Sequence, residues 1–537
     1  MTGGHVTRRR LVRTFLASLV GLYLRGRLSD GAGGTAASRG GTLTIARPID
    51  ALSLDPFKDS GAAATHVFGL IYEPLVTLGP NMKVDAGLAS SWHVLSPTRI
   101  RFALRRGVKF HDGTACDAAA VKFNFDRVFN QQTPGIWASF AGPVKGAEVI
   151  DDYTVEVATT EPFSPLLLNM SMVHGAIVSP AAVRRWGDDF GRHPVGTGPF
   201  KFEEWQPRDR ITVSRNDDYW GTKASLDRIV FRIVPEESAR MIALRTGEVD
   251  MVLVPSIDQL PALRRDPNFA VASITGTRTV FISVTLTQPP MDDVRIRRAL
   301  ILGTDRKSIQ ANLVQSAGAP ADSVMAPSLF GYSPMHLDTR YPYDPKAAGA
   351  LLESAGFRRG PGGVMERNGS PLGLTMISPR GRFPKDAEIS EAFQAQMREI
   401  GIRVDLQVPE YAVVFSALRT PNLNFHLMLS AWGNLTGDGD FSLFPNFQSE
   451  QVPPRGWNTS RYLNPAFNKV VTEARVSLNP AERRQLYAQA QDMLARDVPV
   501  IPVYDMDNIA VMRSYVKGFV PHPVEYDLRV ASVWLQK

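Results

Sequence analysis

The residues whose types best suit ligand chemistry lie in one short acidic loop, Trp432–Ser442. Asp438, Asp440 and the serine that ends the loop occupy positions 1, 3 and 5 of an EF-hand calcium loop. Position 6 is Leu443 instead of the glycine that such loops need, and position 12 is not glutamate, so calcium binding is not predicted. Two interpretations remain open. The loop is either a solvated turn after a core tryptophan, or a pair of carboxylates that bind a cationic group through charge-assisted hydrogen bonds.

The sequence carries no recognisable catalytic signature. The H-E-x-x-H, G-x-S-x-G and P-loop patterns are each missing. The single cysteine, Cys116, has no adjacent base that would activate a thiolate, and it is predicted to be a buried, unreactive residue. The nine histidines are scattered without the spacing of metal ligands. No catalytic role, cofactor or resident metal is therefore predicted.

The elements around these residues alternate between strands and capped helices, which is typical of an α/β protein. Arg99–Leu104 alternates polar and apolar residues, and this predicts a half-buried strand. Asp117 is predicted to cap a helix whose apolar residues Val121, Phe125 and Val128 fall on one face.

Two later helices have recognisable ends. Asp344 followed by proline predicts a helix start, and Gly356 is predicted at the C′ position of that helix. Asn479 followed by proline, with Glu482 three residues after the cap, predicts a capping box. Val498–Val503 then reads as an edge-like strand, because its prolines cannot donate hydrogen bonds to a neighbouring strand.

Residues 1–38 are typical of an export signal. Four arginines between positions 8 and 13 precede an apolar run, Thr14–Leu24, that is too short to span a bilayer. Thr7–Leu11 resembles a twin-arginine motif, and both twin-arginine and Sec export remain open. No cysteine lies near the possible cleavage site, so a lipid anchor is not predicted. No second apolar run approaches membrane length.

The positive charge of the chain belongs mainly to this leader. Lysine and arginine number 60 against 53 acidic residues, a net charge of +7. The first 38 residues hold six arginines and one aspartate, which leaves about +2 for the remainder. A nucleic-acid partner is therefore not predicted, because no basic stripe remains. Roughly 500 residues without an internal disulfide are enough for two or three hydrophobic cores.

Five blocks of sequence occur in a fixed order and resemble one family. They are Leu88–Val128, Val195–Gly221, Pro235–Asp250, Val294–Leu300 and Asp305 with Arg306. Together they resemble family 5 of the extracytoplasmic solute-binding proteins, the peptide, nickel and oligosaccharide receptors of ABC importers. The resemblance runs from about residue 40 to the C-terminus.

The resemblance implies an α/β fold of the two-lobed periplasmic-binding-protein type (class II, cluster C), with mixed sheets and an extra subdomain in the first lobe. The chain would cross between lobes near Phe281–Leu286 and return near Val500–Tyr504, with ligand held in the cleft between them. The implied ranges are 40–285 plus 504–537 for the first lobe, about 80–190 for its subdomain, and 286–503 for the second lobe.

The acidic loop would then bind ligand in the second lobe. Trp432 is expected to pack on the ligand, and Asp438 or Asp440 to pair with a ligand ammonium. Asp438 is the first choice, in which case Asp440 would brace the loop. Dipeptide receptors carry the amine-binding aspartate three residues after the tryptophan, where this chain has Leu435. The spacing here resembles the glutathione-binding branch, which favours glutathione-like, γ-linked or modified amino-acid conjugates over simple dipeptides.

Further contacts are implied in both lobes. Arg380, Arg382 and Asp386 resemble a loop of the second lobe that lines the cleft, where either arginine could grip a ligand carboxylate. The same segment could equally be a self-paired helix start. Ala63 and Thr279 occupy first-lobe positions whose backbone often meets ligand in the family.

The sequence therefore predicts a periplasmic receptor, exported without a lipid anchor, that performs no chemistry. It would capture a small peptide-like ligand as a monomer and deliver it to the transmembrane subunits of an ABC permease. A receptor for a metal such as nickel, or for a metal chelate, remains an alternative. The candidate metal ligands would then be His66, His174 and His426. A secreted hydrolase is the more distant alternative.

Overall fold

The computed structural model describes residues 1, 40–129, 137–418 and 423–537. The predicted export signal falls on residues that lie outside this description. The strands, in chain order, are β1 (Thr42–Arg47), β2 (Val76–Leu78), β3 (Val84–Ala86), β4 (Ala89–Ser96), β5 (Arg99–Leu104), β6 (Val144–Asp151), β7 (Thr154–Thr159), β8 (Phe200–Gln206), β9 (Arg210–Arg215), β10 (Arg228–Ile233), β11 (Met251–Val252), β12 (Phe269–Val284), β13 (Gly318–Pro320), β14 (Arg358–Arg359), β15 (Met365–Arg367), β16 (Ser370–Pro371), β17 (Gly373–Ile377), β18 (Arg403–Gln407), β19 (Leu427–Gly433), β20 (Val500–Arg513), β21 (Val516–Lys517) and β22 (Trp534–Leu535).

The α-helices surround these strands. In chain order they are α1 (Ala62–Ile71), α2 (Ala118–Phe129), α3 (Ala138–Ala141), α4 (Leu166–Asn169), α5 (Pro180–Trp186), α6 (Glu237–Thr246), α7 (Leu260–Leu263), α8 (Val294–Leu302), α9 (Arg306–Ile309), α10 (Leu337–Arg340), α11 (Pro345–Ser354), α12 (Asp386–Glu399), α13 (Tyr411–Leu418), α14 (Asp440–Phe447), α15 (Pro465–Val476) and α16 (Pro480–Asp497). Within the described ranges, none of the helices is both long enough and apolar enough to cross a membrane.

The largest sheet is mixed and has the strand order β18-β17-β19-β12-β20-β11-β1-β10-β9-β8, with β13 on the free side of β20. Parallel pairs occur at both ends, between β17 and β18 and between β1 and β10. Antiparallel pairs join the middle of the sheet, where β12 lies between β19 and β20. Mixed pairing of this kind matches the expected fold class.

Two long strands, β12 and β20, connect the halves of this sheet. They pair from Phe269 with Arg513 to Ser283 with Val500, with one irregularity between Val280 and Phe281 and an earlier one between Thr275 and Arg278. On one side of the earlier irregularity β20 is hydrogen-bonded to β11, and on the other side β12 is hydrogen-bonded to β19. A bulge locally bends a strand pair, so the stretch that holds both irregularities is the natural bending point of the sheet. The later irregularity adjoins the predicted crossing at Phe281–Leu286, and the lobe boundaries themselves stay a prediction.

A second, smaller sheet has the order β4-β5-β7-β6. Helix α2 packs on it, and their apolar side chains form a core that consists of residues from Leu75 to Ile177 together with Phe441. A further core surrounds α1, β1 and β10. The largest core includes the apolar faces of α8, α12, α15 and α16. The single cysteine, Cys116, is buried in the core of the smaller sheet.

The local sequence predictions agree with this structure. The predicted strand Arg99–Leu104 is β5. The Asp117 carboxylate accepts the Ala120 N–H at 2.9 Å and caps α2. Asp344 caps α11 in the same way, and Gly356 follows that helix with φ +92°, a conformation that glycine adopts without strain.

Two local predictions need correction. The strand predicted at Val498–Val503 begins at Val500 and continues to Arg513, and its later part lies inside the sheet between β12 and β11. At α16, the Asn479 side chain caps the helix as expected, but Glu482 does not bond back to the cap residue. The Glu482 carboxylate instead accepts the Ser477 hydroxyl at 2.6 Å, and Ser477 Oγ accepts the Asn479 N–H.

Candidate ligand-binding site

One cavity within the described residues has a volume of about 590 Å³, which is in the range of small-molecule sites. Its walls come from two parts of the chain, a first part before residue 170 and a second part after residue 417. The lining residues are Ser60, Ala138, Phe140, Gly142, Phe163, Asn169, Leu418, Trp432, Asp440, Phe441, Phe444, Pro445, Gln451, Pro453, Pro454, Arg455, Gly456, Trp457 and Arg475.

The acidic loop delivers Trp432 and Asp440 to this cavity. Trp432 lies at the end of β19, and Asp440 is the first residue of α14. Between them, Asn434 organises the turn: its Oδ1 accepts the N–H groups of Thr436 and Gly437, and its Nδ2 donates to the Asp438 carbonyl at 2.7 Å. Side-chain bonds to the backbone of this type fix a loop without regular secondary structure. The loop is therefore an ordered part of the cavity wall.

Asp438 does not face the cavity. Its side chain is 0% exposed, and Arg483 Nη2 lies 2.8 and 2.7 Å from its two carboxylate oxygens. The Tyr487 hydroxyl and the Asp440 N–H also donate to Oδ1. With its acceptor positions filled inside the protein, Asp438 is part of an internal ion pair. The expectation that Asp438 pairs with a ligand ammonium therefore finds no open acceptor position in this arrangement, and it stays a prediction.

Asp440, the less favoured of the two candidate ammonium partners, is the carboxylate that lines the cavity. Burial raises its pKa to about 6, with the nearby Arg475 guanidinium opposing and Asp438 reinforcing the shift. Arg475 Nε lies 3.2 Å from Asp440 Oδ1. This separation is that of an ion pair, yet Nε makes no hydrogen bond within the described residues, because the direction of approach is poor.

Arg475 also joins the two walls of the cavity. Its guanidinium lies over the ring of Phe444 at 3.7 Å and over that of Phe163 at 4.9 Å. Its carbonyl accepts the Ser164 N–H at 2.7 Å, and the Ser164 hydroxyl donates to the carbonyl of Ser477. These contacts hold the second wall against the first at one edge of the cavity.

Trp432 lies in the cavity wall, and its contact with ligand stays a prediction. Its indole N–H donates to the Phe441 carbonyl at 2.7 Å, which fixes the orientation of the ring. The ring centroid lies 5.7 Å from that of Phe441 and 5.8 Å from that of Trp457. Phe140 lies beyond Phe441 at 5.5 Å, so aromatic rings from both walls form a continuous apolar surface.

Arg380, Arg382 and Asp386 are not among the residues that line this cavity. Asp386 begins α12, and its Oδ2 accepts the Arg382 N–H at 2.8 Å, as in the alternative of a self-paired helix start. The Arg382 guanidinium is exposed and stacks over the ring of Tyr411 at 4.8 Å. Arg380 is exposed as well, and its N–H donates to Pro409. The expected role of these residues in ligand binding has no support in this arrangement.

Ala63 and Thr279 also lie elsewhere. Ala63 is buried in α1, and its carbonyl accepts Nη1 of the buried Arg47. Thr279 lies in β12, just after the earlier of the two irregularities, and its hydroxyl donates to Asp505 Oδ1 at 2.6 Å. Neither residue is part of the cavity wall.

The histidines considered for metal binding have separate surroundings. His66 Nε2 lies 3.1 Å from the Glu525 carbonyl, and His426 Nδ1 accepts the Thr375 N–H. His174 packs edge-on against Phe68. Burial lowers the pKa of both His66 and His174 to about 4, which keeps their rings neutral at neutral pH. Among the described residues, no three His, Cys, Asp or Glu side chains gather as metal ligands.

Sequence reasoning missed several residues of the wall. Asn169 ends the short helix α4, and Arg475 lies in the last turn of α15. Neither belongs to a motif, and the residues that they contact in the cavity wall lie far away in the sequence. A basic residue in the last turn of a helix is common for reasons of the helix dipole, so Arg475 carried no distinctive signal.

Two long paired strands link the halves of the large sheet, the smaller sheet forms a subdomain, and two distant parts of the chain line the cavity. These features define a two-lobed solute-binding protein. The family of bacterial extracellular solute-binding proteins, family 5, matches residues 83–453, and the chain belongs to this family. The fold class expected from the sequence is confirmed, and so is the family.

Relatives and solved structures agree with this assignment. The chain is 28% identical over 475 residues to the glutathione-binding protein GsiB of Salmonella paratyphi A, covering 87% of this chain and 89% of that protein. The structure of HbpA2 from Haemophilus parasuis superposes with a TM-score of 0.80 and 26% identity, over 93% of this chain and all of the other. NikA from Brucella suis, solved with Fe(III)-EDTA, shares the fold with a TM-score of 0.82 at 23% identity, over 92% of this chain and all of the other.

Proposed function

We propose that this protein is the periplasmic receptor of an ABC importer, and that it captures a small peptide-like ligand in the cavity lined by Trp432 and Asp440. The ligand would be held between two lobes and presented to the transmembrane subunits of the permease. The observation that carries this proposal is the cavity of about 590 Å³, with the ion pair of the buried Asp440 and the half-buried Arg475 in a wall that is otherwise largely apolar.

The chemistry of the cavity suits a ligand with both an ammonium and a carboxylate. Asp440 would pair with the ammonium, and Arg475 would turn its guanidinium toward the carboxylate. Exchange of an internal ion pair for two ligand contacts keeps every buried charge compensated, which is the condition for burying charges at all. The relative named for glutathione supports a peptide-like ligand, since glutathione is a modified tripeptide.

The protein would act as an exported monomer without a lipid anchor. The arginine-rich leader supports export, and the absence of cysteine near the possible cleavage site argues against acylation. Fractionation of cells is expected to recover the mature protein in the periplasm, and light scattering is expected to give the mass of one chain. Incorporation of labelled fatty acid would contradict the proposal on the anchor.

The binding proposal is tested by thermal shift and calorimetry on the purified mature protein. A ligand that binds only the folded state raises the melting temperature by mass action. The screen contains dipeptides, tripeptides, glutathione, free amino acids, and Ni²⁺ with and without histidine. Peptide-like compounds are expected to raise the melting temperature and to remain chemically unchanged. A response to Ni²⁺ with histidine alone would favour the metal-chelate receptor, and turnover of the ligand would favour a hydrolase.

The site is tested by Asp440→Asn, with Asp258→Asn as the matched control. Asp258 pairs with Lys385 at 2.8 Å and is not part of the cavity wall. Loss of a buried charged partner lowers affinity by about 2–5 kcal/mol, whereas removal of an exposed ion pair changes little. Equal affinity in both variants would show that the ligand ammonium does not bind at Asp440.

A further inference from the structure

The cavity wall is rich in aromatic residues, and glutathione, the ligand named for one relative, does not account for them. Aromatic rings follow one another across it, from Phe140 through Phe441 and Trp432 to Trp457, with successive centroids 5.5, 5.7 and 5.8 Å apart. Prolines 445, 453 and 454 extend the apolar surface. Glutathione carries two carboxylates, an ammonium and only a small thiol side chain. It would therefore leave this surface uncovered.

A free acceptor lies in the same wall. Asn169 is 2% exposed, and its Nδ2 donates to the Phe140 carbonyl at 2.8 Å. Because a carbonyl can only accept, this bond fixes the orientation of the side-chain amide. Oδ1 is therefore the other atom, and it accepts no hydrogen bond from any described residue. Buried acceptors are almost always satisfied in folded proteins, so a missing partner here calls for an explanation.

A free donor lies in the opposite wall. Arg475 Nε is buried and makes no hydrogen bond within the described ranges, although its charge is balanced by Asp440. The two unsatisfied atoms are complementary in kind, since one accepts and one donates. A ligand that fills the cavity would satisfy both if it brings an N–H for Asn169 and an oxygen for Arg475. A peptide unit supplies both groups.

We infer that the cavity selects small peptides or acylated amino acids that carry an aromatic or large apolar side chain, and that Asn169 reads a ligand N–H as a specificity residue. The inference rests on the proposed function and narrows its ligand class. The aromatic wall would cover the apolar side chain, Asp440 would hold the ammonium where one is present, and Asn169 would distinguish an amide from an ester or an N-methylated amide.

The ligand class is tested with a matched set of probes in calorimetry. Ala-Phe and Ala-Trp share their backbone with Ala-Ala and differ only in side chain, and S-benzylglutathione differs from glutathione by one aromatic ring. We expect each aromatic probe to bind at least roughly tenfold more tightly than its partner, in line with the burial of one ring. Tighter binding of glutathione than of the aromatic dipeptides would overturn the inference while leaving the receptor function intact. Failure of every probe to bind would overturn both.

The role of Asn169 is tested by Asn169→Leu in a comparison that a purely structural role would not affect. Ala-Phe is measured against the same dipeptide with its amide nitrogen methylated. In the natural protein, methylation is expected to weaken binding roughly tenfold, since a buried acceptor loses its donor. In Asn169→Leu, methylation is expected to change affinity by less than about twofold, because no acceptor remains. The same methylation penalty in both proteins would show that Asn169 only supports Phe140.

If Asn169→Leu does not fold, Asn169→Asp supplies the second test, because its added negative charge should favour a probe with a free ammonium over its acetylated form.

Discussion

The Arg483 guanidinium lies within 2.8 Å of both carboxylate oxygens of Asp438, and both side chains are buried. Burial alone would lower the pKa of Arg483, but the carboxylate outweighs this effect and raises it. The Tyr487 hydroxyl completes the cluster by donating to Asp438. This pair connects the acidic loop to α16 and thereby sets the position of Asp440 at the cavity.

Asp438→Asn is expected to lower the free energy of unfolding by about 3–5 kcal/mol, because it leaves a buried guanidinium without its counter-charge. Urea denaturation measures this change. The matched control is Asp492→Asn, which removes the exposed partner of Arg340 and should cost no more than about 1 kcal/mol. Intact stability together with a large loss of ligand affinity would instead make Asp438 a ligand contact.

Trp432→Ala is expected to weaken ligand binding several-fold or more, since an aromatic contact contributes about 0.5–1.5 kcal/mol beyond the burial of its area. The ligand-induced change in tryptophan fluorescence should also decrease. Trp186→Ala is the control, because Trp186 stacks on His193 and is not among the residues of the cavity wall. If Trp432→Ala lowers stability but leaves affinity unchanged, the ring is only a core residue.

Local features of this chain could be predicted from the sequence because their causes are local. The caps of α2 and α11 depend on a side chain and backbone groups two or three residues away. The strand Arg99–Leu104 depends on alternation within six residues. The family blocks then supplied the two-lobed fold, which composition and periodicity alone did not define.

The site could be predicted only in part because its decisive contacts are distant in sequence. No local feature of the sequence distinguishes the role of Asp438 from that of Asp440. The residue that does so is Arg483, which pairs with Asp438 and lies 45 residues further along the chain. The prolines of β20 indicated an edge, but residues after Val503 pair with strands that begin far earlier in the chain. Asn169 belongs to no motif, and only its position opposite the acidic loop gives it a candidate role.

Asp505 is expected to make stability depend on pH near the bending point of the sheet. Burial raises its pKa to about 7; the Thr279 hydroxyl opposes this shift, whereas Asp507 and Asp322 add to it. An unfolded aspartate has a pKa of about 3.9, so the folded state binds the proton more tightly. The stabilisation by this proton is complete below about pH 4 and is lost as the pH rises through about 7.

Asp505→Asn should remove this dependence, because asparagine keeps an acceptor for Thr279 and does not ionise. The gain in free energy of unfolding of the variant over the natural protein is expected to be larger at pH 8 than at pH 5. Urea denaturation at both pH values measures this gain. Asp492→Asn serves as the control at an exposed position. Its free energy of unfolding should differ from that of the natural protein by the same amount at both pH values. An Asp505→Asn variant with no pH-dependent gain would show that Asp505 ionises normally.

Asp440 is expected to make ligand affinity depend on pH in the opposite direction to this stability effect. Burial raises its pKa to about 6, so a large fraction of the carboxyl group is protonated in the free protein at pH 5. A ligand ammonium pairs only with the ionised form, so binding must displace the proton. Affinity for a ligand with a free ammonium should therefore fall about tenfold between pH 7 and pH 5, and binding near pH 6 should release protons to the buffer. Calorimetry in buffers of different ionisation enthalpy measures this release, and the acetylated form of the same ligand is the control. Asp440→Asn should bind with an affinity that is nearly constant over this range. Equal proton release in the natural protein and in Asp440→Asn would assign the titrating group to another residue and would remove Asp440 as the ammonium partner.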